Sequence, residues 1–396
     1  MLADLLIQPW YACLQERLPD LRLFDCHTHL GADDPDGSRL TARELQRALD
    51  VVHGRAVVFP LAELAGYRAA NDRVLSAAER SEGRLVAFCR IDPHAGGGAE
   101  AERALARGAL GIKLHPRAER FGLAEPIVQP ILALAQERRV PVIVHAGRGI
   151  PSLGRDALVA AARYPDAPII LAHAAIADLA WIWREAGAHP NLFFDTAWWN
   201  VSDHLALFAL VSPGQILFGS DIPYGRTVAA AALVLRAALA AGLSAEQVAA
   251  VAGGQLARLL AHQAPADLGP VPMRAVPGPG PLLERIHTLL IAAAARLTTG
   301  QGADEYLELA RLACRLPADH PDAAVSGSVL ALLDRHAAVR ATDPPQYGPR
   351  PPGIHLIFLA AAIARTPGLP LPTPGALAQP QDVPAPRASR TKASVR

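Results

Sequence analysis

Lysine is nearly missing from this chain: of 38 basic residues only Lys113 and Lys392 are lysine, and arginine supplies the rest. Against that background Lys113 stands out, because an amine can lose its proton and react where a guanidinium stays charged. Cysteine is scarce too. The four present (Cys13, Cys26, Cys89 and Cys314) show no CxxC spacing, which excludes a zinc ribbon and a disulfide framework. Charge excess is also absent: the formal net charge is +1, with both signs interspersed. That excludes a surface built for nucleic acid or another polyanion. No uncharged apolar run reaches the roughly 18 residues of a membrane span; 228–243 comes nearest, and Arg236 interrupts it. The first residues carry Asp4 and Gln8 and no basic stretch, so no secretory signal is read and a soluble, cytoplasmic protein is expected.

What the chain does have is length and apolar content: 396 residues, 51% hydrophobic, enough for one large domain and a smaller one. Residues 1–20 read as a short amphipathic helix laid across the bottom of the main domain. Short β-rich apolar runs then recur at 21–25, 55–60, 85–91, 111–115, 141–145, 169–173, 191–196 and 215–221. Segments with helical periodicity separate them, among them 41–52, 67–82, 99–107, 127–138, 158–164 and 228–241. Strands alternating with helices imply parallel pairing and right-handed crossovers. Eight such units over about 250 residues predict an α/β fold, a (β/α)8 TIM barrel spanning 1–263. A doubly wound sheet is the rival, but no Gly-rich phosphate fingerprint follows the first strand.

The polar residues fall where a barrel does its chemistry, at the C-terminal ends of strands. The first strand ends in Phe24-Asp25-Cys26-His27-Thr28-His29-Leu30-Gly31. Alternation puts His27 and His29 on one face and Cys26 on the other, as a packing residue. Later strands end in Lys113-Leu114-His115, His145-Ala146-Gly147, His173, Asp195-Thr196 and Gly219-Ser220-Asp221. Structural histidines alone would not collect at successive strand ends in this way.

In these motifs the chain resembles the amidohydrolase superfamily, in its amidohydrolase-2 branch of aminocarboxymuconate-semialdehyde decarboxylase-like enzymes. The resemblance covers about residues 20–262 and rests on Asp25-x-His27-x-His29, the His145 and His173 strands, Gly219-Ser220-Asp221 and a closing helix with Gln255 where the family has Asn. It implies that His27, His29, His145 and Asp221 bind one divalent metal. Three imidazoles and a carboxylate suit Zn²⁺ and leave a position open. Asp221 would also take a proton from water, and His173 would orient that water or polarise a substrate oxygen. Lys113 is open between three roles: a carboxylated bridge to a second metal, as in some superfamily members, a cation for a substrate carboxylate, or a lysine buried in an ion pair. His115 would share that task, Arg148 would grip a carboxylate, and Trp198 would wall a planar substrate.

After His262 the texture changes. Prolines and glycines mark 264–281 as a linker or strap, 282–365 resumes helical periodicity as a C-terminal all-α extension, and 366–396 reads as a disordered tail. The extension would cap the barrel mouth, form a homodimer interface or dock a protein partner. The leading functional expectation is hydrolysis of an amide, lactone or ester-type small molecule by metal-activated water. Non-oxidative decarboxylation of a carboxylated small molecule is the alternative on the same ligands. A weakly active barrel recruited through its helical extension is the reading from another class.

Overall fold

The computed structural model of the chain describes residues 2–147, 150, 153–271, 278–342 and 351–378. The strands are β1 (Phe24–Leu30), β2 (Arg55–Pro60), β3 (Leu85–Ala87), β4 (Cys89–Ile91), β5 (Ile112–Leu114), β6 (Val142–Val144), β7 (Ile169–Leu171), β8 (Leu192–Asp195) and β9 (Ile216–Leu217). All neighbours pair in parallel, in two runs, β1-β2-β3 and β4 to β9. Only Phe88 separates β3 from β4, so the two are halves of one barrel position. Hydrogen bonds from Cys26 N–H to the Phe218 carbonyl (2.8 Å) and from Asp221 N–H to the His27 carbonyl (2.8 Å) close the ring between its last and first strands. The expected eight-position barrel is what forms.

Two apolar layers hold it. Inside the barrel, Phe24, Cys26, Val57, Phe59, Phe88, Ile143, Ile170, Phe193 and Leu217 form one cluster, plugged at the bottom by Leu256 and Leu259 of the helix Gln255–Leu260. A larger cluster lies between the strands and the surrounding helices. Register identifies a level of the interior, since Ile143, Ile170 and Phe193 pair in succession. On the other side of Ile143 the same level continues to Lys113 and then Arg90. Both cations are therefore inside the barrel, where the other strands place apolar side chains, and both are buried.

Cys26 corrects the simple alternation. It belongs to the interior cluster, on the same side of the sheet as the histidines that follow. The reason is a bulge: Asp25 pairs with Ala56 but Thr28 with Val58, so two residues of β1 face one of β2. The extra residue resets the side-chain phase, turning Phe24 and Cys26 inward below it and His27 and His29 inward above it.

The N-terminal helix does not cross the barrel bottom as expected. Helix Leu2–Gln15 lies on the flank, against helix Thr227–Ala240. Trp10 donates to Ser328 Oγ (2.8 Å) and carries the Arg335 guanidinium over its ring, which ties it to the extension. The extension itself comprises the helices Pro281–Thr298, Asp304–Ala313, Ala323–Thr342 and Ile354–Arg365. Its last helix packs on Thr227–Ala240, which is buried from Thr227 to Ala238 on every face. This explains the apolar run at 228–243: it is covered by protein, and no helix among the described residues is long and apolar enough to cross a membrane.

The segment 264–271 is a strap, with Ala266 N–H bonded to Gln255 Oε1 (3.0 Å) and the Gly269 carbonyl accepting from Ser212 (2.9 Å). The tail expected from 366 begins as packed chain. Arg236, fully buried, donates to the carbonyls of Thr366 (2.8 Å) and Pro370 (2.9 Å). A short helix, Pro374–Ala378, follows.

Candidate metal centre

Three acceptors converge above Phe59. His29 Nε2 lies 3.1 Å from Asp221 Oδ1, and His27 Nε2 lies 3.3 Å from the same oxygen. The second nitrogen of each ring faces an oxygen behind it: His27 Nδ1 the Asp195 Oδ2 at 2.7 Å, His29 Nδ1 the Pro60 carbonyl at 3.4 Å. Those oxygens hold the Nδ1 protons, so both Nε2 atoms present lone pairs to an ionised carboxylate. Burial lowers the pKa of both rings, well below the usual histidine range for His27. Burial works to raise the Asp221 carboxyl; protonated His27, His29 and His173 would outweigh it and hold it below the ordinary carboxylate range, whereas with neutral rings a bound cation has that task. Three buried acceptors facing one another are stable only around a cation. Among the described residues His27, His29 and Asp221 are the one group whose ligand atoms lie within 4.8 Å of each other. The donor set therefore fits a divalent metal held by two imidazoles and a carboxylate, with further positions open.

Local backbone aims these groups. His173 (φ 59°) and Asp221 (φ 57°) both sit in the left-handed region, which costs a non-glycine residue about 1–3 kcal/mol and is found at sites that need an unusual direction. Gly219 lets β9 run on past His27: a Cβ there would stand 3.1 Å from the His27 Cβ. Asp25 Oδ1 bridges the two strand ends, accepting from His27 N–H and Ser220 N–H at 3.0 Å each. Burial raises its carboxyl to about 7.

His145, expected as a fourth ligand, lies outside this group. Its Nδ1 is 3.1 Å from His173 Nε2, and its ring stacks on His115 at 3.8 Å. His173 Nδ1 donates to the Ala197 carbonyl at 2.6 Å, so its Nε2 accepts and His145 Nδ1 is the donor. His115, expected to share the task of Lys113, has its Nδ1 accepting from Ala118 N–H at 3.1 Å. Lys113 Nζ is 3.3 Å from His27 Nε2 and lies over the Phe59 ring. Burial lowers its pKa to about 8, against the pull of Asp195 and Asp221. Trp198 stands edge-on to His173, and Arg148 lies outside the described residues.

One residue went unread in the sequence. Arg90 is buried beside Lys113, donating to Glu119 Oε1 (2.8 Å) and stacking over Tyr67, while its Nε has no hydrogen-bond partner. The signal was there: an arginine inside the apolar run Val86-Ala87-Phe88-Cys89-Arg90-Ile91.

A sequence model of the amidohydrolase family matches residues 24–260, from the strand carrying His27 to the plug helix. The chain belongs to that family. It is a metal-dependent enzyme on an amidohydrolase barrel, and the match ends at residue 260, before the strap and the extension. A putative amidohydrolase from Staphylococcus aureus superimposes with a TM-score of 0.51 at 16% identity, covering 61% of this chain and 100% of that one. An uncharacterised TIM-barrel protein from Bordetella bronchiseptica gives 0.50 at 13%, covering 61% and 99%. The 5-carboxyvanillate decarboxylase LigW from Sphingomonas paucimobilis gives 0.49 at 15%, covering 61% and 99%. At these identities the likeness concerns the fold. No curated protein matches the sequence.

Proposed function

We propose that this amidohydrolase is a non-oxidative decarboxylase of a carboxylated small molecule, with Zn²⁺ held by His27, His29 and Asp221. The observation that carries the reading is the pair of buried cations, Arg90 and Lys113, at one level of the interior beside the metal group. Glu119 Oε1 answers one nitrogen of Arg90 (2.8 Å) and leaves its Nε without a partner, and Lys113 Nζ faces His27 Nε2 at 3.3 Å, so each cation keeps a donor for an incoming anion. A carboxylate is the anion that a guanidinium fork and an ammonium recognise together. In the reaction the bond from substrate carbon to carboxylate breaks, its electron pair stays on carbon, a proton replaces it and CO₂ leaves. A bound divalent metal supplies Lewis-acid stabilisation of the charge that builds up on the substrate. The proton would come from the histidines at the mouth, where His145 Nδ1 lies 3.1 Å from His173 Nε2 and the His173 ring lies 5.1 Å from that of His27.

Hydrolysis, the leading expectation from the sequence, is the second reading. Asp221 favours it, because a carboxylate grouped with two imidazoles at the metal site can take a proton from water. A panel of aromatic and unsaturated carboxylic acids given to the zinc-loaded enzyme in D₂O decides between them. CO₂ release with one deuterium in the product is expected. Turnover of amides or lactones with no CO₂ from any acid would replace the proposal with hydrolysis. Elemental analysis of wild type and Lys113→Arg tests the number of metals. One zinc per chain in both is expected, and two falling to one in the variant would make Lys113 a carboxylated bridge.

A further inference from the structure

The extension holds a cavity of about 180 Å³ whose lining residues come from the helices Asp304–Ala313 and Ala323–Thr342, outside the amidohydrolase barrel. Its rim carries both signs of charge. Arg340 Nη1 donates to Asp304 at 2.7 Å, Arg311 Nη1 donates to Asp334 at 2.5 Å, and Glu308 Oε1 lies 3.8 Å from Arg311 Nε. The side chains of Asp304 and Glu308 are 76% and 70% exposed, so these pairs hold weakly and a ligand bringing its own charges can replace them. Leu307 and Leu333, both buried, make the floor. His336 lines the same space, is 2% exposed, and has no hydrogen-bond partner for its Nε2 among the described residues. A buried ring nitrogen left in that state is costly until a polar group comes to it. Burial, then Arg340 and Arg311, lower the His336 pKa to about 4, so the ring waits there neutral.

The charges select the ligand. A bare anion drawn to Arg311 and Arg340 meets Asp304 and Glu308, and a bare cation drawn to those carboxylates meets the two guanidinium groups. A molecule that carries both charges avoids both repulsions. A single water needs roughly 10–15 Å³ of such space, so there is room for a molecule of several heavy atoms. We propose that this cavity binds a free aliphatic α-amino acid, its carboxylate on Arg311 and Arg340, its ammonium on Asp304 and Glu308, and its side chain over Leu307 and Leu333. The site is independent of the decarboxylase reading, because none of these residues belongs to the barrel.

The test is calorimetric titration of the zinc-loaded full chain with leucine, with isocaproate, which lacks the ammonium, and with isopentylamine, which lacks the carboxylate. Leucine should bind once per chain and each analogue about tenfold more weakly or worse, the loss of one charge-assisted contact. Arg340→Gln should weaken leucine about tenfold with metal content and ligand-free melting temperature as in wild type. Glu308→Gln should weaken leucine and leave isocaproate no weaker than before. The comparison of the three ligands on wild type decides even where a variant melts early. No heat from leucine, or isocaproate or isopentylamine binding as tightly as leucine, would overturn the proposal. Leucine binding undiminished in a folded Arg340→Gln would also overturn it, since that places the ligand elsewhere, at the zinc for example.

Discussion

Residue by residue, the metal group depends on where two protons sit. Asp195 Oδ2 accepts from His27 Nδ1 at 2.7 Å, while Oδ1 accepts from the backbone N–H of His173 (2.7 Å) and of Ala197 (3.0 Å). Asp195→Asn keeps one acceptor oxygen, which the two backbone donors claim. Its amide nitrogen then faces His27 Nδ1–H, donor against donor. His27 relieves the conflict by moving its proton to Nε2, which removes the lone pair offered to the metal. Zinc affinity, measured by competition with a chelator, should fall about 10- to 100-fold, the usual effect of removing such a carboxylate partner. An unchanged affinity would show that His27 does not bind through Nε2. Asp195 does not touch the metal group's open side, so its effect is on the orientation of a ligand.

Among the elements, the helix Val201–Leu210 links the tryptophan loop to the outer core. Asn200 caps it, and its His204 is fully buried with Nε2 3.1 Å from the Thr196 carbonyl and Nδ1 without a partner. Burial lowers the His204 pKa to about 4, against the hydrogen bond to Thr196. The unfolded chain takes up this proton near pH 6.5, the folded chain only near 4. Stability from this group is therefore complete above about pH 6.5 and lost as the pH falls toward 4, up to about 3 kcal/mol. His204→Gln retains a donor for Thr196 and removes the titration. Urea unfolding between pH 7.5 and 4.5 should show a shallower acid limb for the variant than for wild type; parallel limbs would show that His204 is protonated in the fold. His336, lowered to about 4 in the same way, contributes equally to both proteins and cancels from the difference.

The elements also show what the sequence could disclose. Strand positions and the grouping of His27, His29 and Asp221 were legible because alternation of β-rich and helical runs encodes the barrel, and barrel strand ends meet at one mouth. The inward turn of Cys26 was not, because a single bulged residue in β1 leaves no mark in the pattern yet inverts the phase. The position of His145 was not, because its ring is set by His173 and His115, 28 and 30 residues away in the chain. Arg90 was visible as an arginine in an apolar run, but its pairing with Glu119 depends on where the β5 loop folds back.

At the scale of the whole molecule, the extension and the barrel share one outer core. In an isolated (β/α)8 barrel the last helix would show a polar face to water; here Thr227–Ala240 is alanine, leucine and valine around its circumference, with Arg236 as its only charge. Arg236 is tolerated because Thr366 and Pro370 supply its acceptors. Such a helix cannot be exposed without presenting a large apolar patch. A chain ended at residue 263 should therefore aggregate or elute as soluble oligomers that bind a hydrophobic dye, with no cooperative melt. This outcome bears on the idea of a barrel that merely carries a recruitment module, because a recruitment module can be removed without harm to its carrier. If residues 1–263 instead run as a monomer with wild-type zinc affinity and a sharp transition, the extension is separable and its helix is no part of the catalytic unit. The contacts of Trp10 with Ser328, Arg236 with Thr366 and Trp199 with Phe358 join the extension to the barrel at three separate places. Loss of all three at once should leave the barrel without its flank, its clamp and the ring contact that holds its tryptophan loop.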